Sequence, residues 1–120
     1  MKREDLFFHE STVLEFTHYL TSINLRLEDI HVGEQIANVE LLFEGIKTLE
    51  IDHQPATFPF MVAPDGEVLT LKLNDNKAEL LIEWNDSINH DQFIKFYFME
   101  FEEVFIKITD SHQLSCYLKG

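Results

Sequence analysis

One cysteine, three prolines and four glycines are all that this 120-residue chain holds of the residues that cross-link or punctuate a fold. The lone cysteine, Cys116, rules out an internal disulfide framework and suits a reducing compartment. Glycines at 33, 45, 66 and 120 leave no glycine-rich loop to cradle a phosphate. Cations are scarce too: nine Lys and Arg stand against 22 Asp and Glu, for a formal net charge of −13. Phosphate recognition needs clustered Lys and Arg, so nucleic acid is not expected as a partner. No stretch approaches the ~20 apolar residues of a membrane-spanning helix. Met1-Lys2-Arg3 leads into Glu4 and Asp5 rather than into the apolar run of a signal peptide, so a cytoplasmic protein without membrane contact is expected.

Catalytic and cofactor signatures are equally sparse. The six histidines, His9, His18, His31, His53, His90 and His112, occur in no HxH or HExxH spacing, and one cysteine cannot form a CxxC pair. A metal-binding domain remains only as a lesser alternative, through distant histidines converging in the fold. His9-Glu10-Ser11 contains the residue types of nucleophilic catalysis, but consecutive side chains point apart and no glycine-rich elbow follows. Hydrogen bonding at a strand entry is the role expected of it. No cofactor and no enzymatic activity are expected.

What the sequence does contain is β-structure. In EVLTLKLNDNKAELLIEW, Glu67 to Trp84, a turn at Asp75-Asn76 sets Leu73 against Ala78, Leu71 against Leu80 and Leu69 against Ile82 on one apolar face. The same register sets Lys72 against Glu79 on the other face, so a one-residue slip would bury a charged pair. An earlier hairpin joins TVLEFTHYL to NLRLEDIHV through Thr21-Ser22. It places Phe16 against Leu27 and Leu20 against Ile23, at the cost of Glu15 facing Glu28. Strands also follow from Asn38 to Glu44 and from Ile46 to Ile51, with a kink at Gly45. Gln54 to Pro64 carries all three prolines and cannot be a central strand. Pro64-Asp65-Gly66 reads as a turn, Asn85 to Asp91 as a surface loop, and Gln92 to Ile108 as two strands broken at Glu102-Glu103.

The expected fold is therefore a single all-β domain over residues 1–120, an antiparallel sandwich or partly closed barrel of about eight short strands. The expected core is Leu14, Phe16, Leu25, Leu27, Val39, Leu41, Phe43, Ile51, Leu69, Leu71, Leu80, Ile82, Trp84, Phe96, Phe98 and Ile106.

The F-H-E-S run at Phe8 to Ser11, the two strands that follow it, and the strand-Gly-strand segment VELLFEGIKTLEID resemble a group of small bacterial all-β proteins. In that group an F/L-H-D/E-S motif precedes a hairpin, and several relatives are similar to immunity proteins of polymorphic toxin systems. The likeness extends through DGEVLTLKL and LLIEW, with Glu10 where Asp is the commoner residue. It implies a cytoplasmic binding protein; with no catalytic signature and an acidic charge, the expectation is a non-catalytic domain that binds a cationic protein, with an immunity-type inhibitor of a toxin as its leading form. The alternative is a structural or homodimeric module whose acidity serves solubility. The carboxylates expected to meet a partner are Glu28, Asp29, Glu34, Asp86, Asp91, Glu102 and Glu103.

Overall fold

Asp75 takes the left-handed backbone conformation, φ 50°, that a two-residue reversal demands, and the hairpin expected around it forms. In the computed structural model, Asp65–Asn74 (β7) pairs with Lys77–Asp86 (β8) so that Leu73 faces Ala78, Lys72 faces Glu79, Leu71 faces Leu80 and Thr70 faces Leu81. Beyond that point the expected register fails. A β-bulge between Val68 and Thr70 absorbs Leu69, so Val68, not Leu69, lies opposite Ile82 in the core. The model describes the backbone of residues 6–32, 35–109 and 115–119, and the side chains of residues 8–31 and 35–108.

The other strands are Leu6–Phe7 (β1), Ser11–Tyr19 (β2), Ser22–Val32 (β3), Gln35–Glu44 (β4), Thr48–Ile51 (β5), Gln54–Pro55 (β6), Asp91–Glu100 (β9), Glu103–Thr109 (β10) and Ser115–Lys119 (β11). All pair antiparallel in one sheet of order β11-β10-β4-β3-β2-β7-β8-β9-β5-β6, with β1 against β3. That is nine strands of four or more residues and two of two residues, in place of about eight. The sheet is not closed. Only Ser11↔Val68 and Thr12↔Glu67 join β2 to β7, and there the sheet divides into two halves. These halves pack face to face: Phe16 of β2 meets the edge of Tyr97 of β9, with ring centroids 5.0 Å apart. One half supplies Phe16, Leu25, Leu27, Leu41, Phe43 and Ile106 to the core, and the other Val68, Leu80, Ile82, Trp84, Tyr97 and Met99. The fold is the expected antiparallel sandwich or partly open barrel.

The first hairpin forms in a different register. Its reversal is at Leu20-Thr21, with Leu20 at φ 54° and fully in solvent, so Tyr19 faces Ser22, His18 faces Ile23 and Phe16 faces Leu25. Electrostatics account for the shift: Glu15 now faces Arg26 instead of Glu28, and the expected repulsion becomes an ion pair of 3.0 Å. A bulge between Val13 and Glu15 turns Leu14 outward and Val13 inward, which removes Leu14 from the core.

Smaller differences share one cause, pairing that extends further than the composition of the segments suggests. β7 begins at Asp65 and the bend lies at 62–64, because Gly66 pairs with Trp84 and leaves room for its ring; a Cβ there would lie 2.5 Å from Trp84 Cζ3. The loop expected over Asn85 to Asp91 shrinks to a four-residue turn, 87–90, since Asn85 pairs with Gln92 and Asp86 with Asp91. Gly45 supplies the expected kink, with φ +68°. Gln54 and Pro55 form a two-residue edge strand beyond β5, the placement proline permits.

Three of the expected core residues are only half-buried. Ile51 and Leu71 are half-buried against the core, and Leu69 is half-buried in the bulge. Phe96 and Phe98 are the more consequential correction. Residues of β9 alternate, and it is Tyr97 and Met99 that point inward, so Phe96 and Phe98 occupy the outer face.

Candidate interaction surface

Register partners share a face, so the outer surface of the β7-β8-β9-β5 half can be read in rows. Glu67, Glu83 and Ile94 form one row; Thr70, Leu81 and Phe96 the next; Lys72, Glu79, Phe98 and Glu50 the third. Along β9 this gives an apolar column of Ile94, Phe96 and Phe98, with Leu81 beside it. Ile94 is 57% exposed, while Leu81, Phe96 and Phe98 are half-buried. Solvated faces of antiparallel sheets normally carry polar residues at such positions. Carboxylates border the column: Glu83 beside Ile94, and Glu79 and Glu50 on either side of Phe98.

A short turn closes the top of this face. Asp52 and His53 both adopt positive φ, 53° and 67°, and the His53 ring lies 5.1 Å from that of Phe96. Asp52 Oδ1 accepts the Phe96 backbone N–H at 2.9 Å, and Oδ2 meets Lys95 Nζ at 3.0 Å. Burial pushes the Asp52 carboxyl upward, but the Phe96 N–H and the Lys95 ammonium outweigh it and hold the group below its usual range.

The opposite half of the sheet handles its charge differently. Glu15, Arg26, Glu40 and Lys107 follow one another across β2, β3, β4 and β10, alternating in sign. Arg26 reaches Glu15 at 3.0 Å and Glu40 at 3.7 Å. On the β9 face, Glu50, Glu79 and Glu83 make no ion pair or side-chain hydrogen bond among the described residues.

At three places carboxylates confront each other directly. Glu67 faces Glu83, Asp86 faces Asp91 and Glu44 faces Glu103 as register partners. Of the carboxylates singled out from the sequence, Asp86 and Asp91 thus meet at the tip of the β8–β9 hairpin. There the Asn89 side chain and the backbone N–H groups of Asn89 and Ile88 donate to Asp86, holding its carboxyl below its usual range. Glu102 and Glu103 sit where β9 passes into β10, a corner knitted by Ile46 N–H to Thr21 O, Glu102 N–H to Glu44 O, and the Asn76 amide to the carbonyls of Phe101 and Glu102. A shallow cavity of about 340 Å³ opens there, lined by Glu44, Lys47, Glu102 and Glu103 among others. Glu28 lies opposite Thr12, and Asp29 follows in a bulge at φ 64°. Glu34 lies outside the described residues. These positions occupy three separate stretches of the fold. Phe96, Phe98 and Glu79, which the sequence reading did not nominate, form the more continuous surface.

The F-H-E-S run serves the fold. Ser11 is fully buried, and both its N–H and its hydroxyl donate to Phe8 O, at 3.1 and 2.6 Å. Glu10, at φ 67°, donates its N–H to Val68 O, and His9 Nδ1 lies 2.6 Å from Leu69 O. The motif therefore ties the entry of β2 to β7 where the two halves join, the strand-entry role expected of it. Among the described residues, no group of three or more His, Cys, Asp and Glu is placed to hold a metal ion. Nor is any helix there long and apolar enough to cross a membrane. His112 and the side chain of Cys116 lie outside the described residues. Comparison of the chain with protein-family models, curated proteins and solved structures gives no match to any of them.

Proposed function

We propose that this chain is a non-catalytic domain that binds a cationic protein, and that it acts as an immunity-type inhibitor of a basic toxin. The observation that carries the reading is the set of opposed carboxylates: Glu67 with Glu83 and Asp86 with Asp91. Like charges directly across a ladder destabilise a sheet, by roughly 0.2–1 kcal/mol a pair. A chain selected only for stability and solubility would alternate signs, as the row through Glu15, Arg26, Glu40 and Lys107 does. A partner rich in Lys and Arg relieves the repulsion on binding, and a net charge of −13 speeds the encounter. Binding of this kind weakens with salt, because exposed charges are screened over ~8 Å at physiological ionic strength.

A tagged pull-down from the source cells at low and high salt tests this, with size-exclusion chromatography of the pure protein alongside. A basic protein retained at low salt and released at high salt supports the inhibitor. A stable dimer that retains no basic protein at any salt refutes it in favour of a homodimeric module.

A further inference from the structure

We propose that the outer face of β9, with Ile94, Phe96 and Phe98 in line, Leu81 beside them and Glu79 and Glu50 flanking Phe98, is the strip on which a Lys- or Arg-bearing apolar segment of the protein partner docks. The inference rests on the reading of the chain as a binder of cationic proteins and assigns the surface that does it.

Apart from Lys95, which pairs with Asp52, the middle of β9 is apolar on both faces. Its inward column, Tyr97 and Met99, is buried and explained by the core, whereas the outward column has no such explanation. Outward positions along the strand repeat every ~6.8 Å, twice the rise of an extended residue, so Ile94 to Phe98 spans a contact surface about 14 Å long. Adjacent strands are ~4.8 Å apart, which brings the carboxylates of Glu79 and Glu50 alongside opposite edges of the Phe98 ring. A guanidinium or ammonium laid over that ring is attracted by its π-face and reaches a carboxylate on either side. Among the described residues neither carboxylate is committed elsewhere: Lys72 faces Glu79 across the ladder without an ion pair within 4.0 Å, and Glu50 makes no ion pair or side-chain hydrogen bond there. Phe96 and Leu81 form an apolar floor next to this position, edged by the His53 ring. At the far end Ile94 lies exposed beside Glu83, which places a third carboxylate within reach of a second basic residue. A second copy of the chain is a poor occupant, because it would bring another charge of −13 against the same carboxylates.

The probe is a synthetic peptide of alternating Lys and Leu, titrated into the full-length 15N-labelled protein at low and high salt, with an alternating Glu and Leu peptide as control. The expected result is salt-sensitive binding of the basic peptide alone, with amide shifts concentrated on residues 79–83 and 94–98. Phe98→Leu keeps an apolar side chain and removes the π-face, and should weaken binding about two- to fivefold. The E50Q/E79Q variant should weaken it further, and Glu15→Gln, on the face already neutralised by Arg26, should leave it unchanged. Shifts confined to the 86–91 turn or the Glu44–Glu103 corner, with none on 79–83 and 94–98, would overturn the strip while leaving the cationic-partner reading in place. The absence of any salt-sensitive binding would overturn both. Shifts that depend on protein concentration without peptide would make the strip a contact between copies, and would overturn the proposal as well.

Discussion

Replacing Tyr97 by Phe removes one oxygen from the centre of the molecule, and its consequences can be worked out at two pH values. Tyr97 OH accepts the Trp84 indole N–H at 2.9 Å, and both residues are buried. In Tyr97→Phe that indole N–H has no acceptor, and an unsatisfied buried donor costs about 1–3 kcal/mol, so urea unfolding at pH 8 should shift by that amount. Burial, helped by the Asp52 charge and opposed by the Trp84 hydrogen bond, pushes the Tyr97 hydroxyl up to about 12 from 10.0. An acid whose folded pKa is raised contributes stability below its unfolded value and loses it as pH rises between the two. For Tyr97 that window is pH 10 to 12, and the full loss is about 2.7 kcal/mol, with about 1.4 kcal/mol of it gone by pH 11. Phenylalanine has no such proton, so the stability gap between wild type and Tyr97→Phe should narrow by about 1.4 kcal/mol from pH 8 to pH 11. Every other titrating group is shared by the two proteins and cancels in the difference. Trp84 is the only tryptophan, so its fluorescence reports unfolding in both. An equal gap at the two pH values would refute the reasoning, and so would a loss under 0.5 kcal/mol at pH 8, below the cost of an orphaned donor.

Other outcomes follow from single contacts. Gly66→Ala sets a Cβ against the face of Trp84, 2.5 Å from its nearest ring atom, and should cost about 1–3 kcal/mol in thermal or urea unfolding. Arg26→Gln removes the cation between Glu15 and Glu40; the pairs are half-exposed, so the loss should be about 1 kcal/mol or less and should shrink with added salt. Asp52→Asn should flatten the acid limb of stability. The carboxyl is held below 3.8 in the folded chain, so its contribution is present above that value and is lost as pH falls through the folded one, a difference that acid titration of wild type and variant would reveal.

Wherever a turn residue and an alternating pattern agree, the fold is legible in the sequence. Asp75-Asn76 between two such runs specifies the β7–β8 register as far as Thr70. The pattern gives out at the bulges, because one extra residue reverses the facing of everything beyond it and leaves no mark in composition. Leu69 and Leu14 each have an apolar neighbour, Val68 and Val13, ready to take the inward place, so either facing satisfies the period. In the first hairpin the charge conflict of Glu15 with Glu28 was itself the signal that the reversal sat one residue too late. The candidate surface was hidden for a related reason. Ile94, Phe96 and Phe98 on one parity compete with Phe93, Tyr97 and Met99 on the other, and hydrophobicity alone does not separate a core column from a docking column. What could have exposed it is the count: a strand apolar on both parities must place one of them outside a two-layer fold.

The most direct test of the acidic surface as a binding device compares the wild type with a double variant, Glu67→Gln and Asp91→Asn, in the same pull-down at low and high salt. Each substitution neutralises one member of an opposed pair, and Asp86, which holds the 87–90 turn, is left intact. Relief of these repulsions should stabilise the variant rather than weaken it, so a loss of capture cannot come from unfolding. The account predicts a variant that is more stable than the wild type and retains less of the basic protein at low salt. A variant that is no more stable and retains the same protein with the same salt dependence would contradict it.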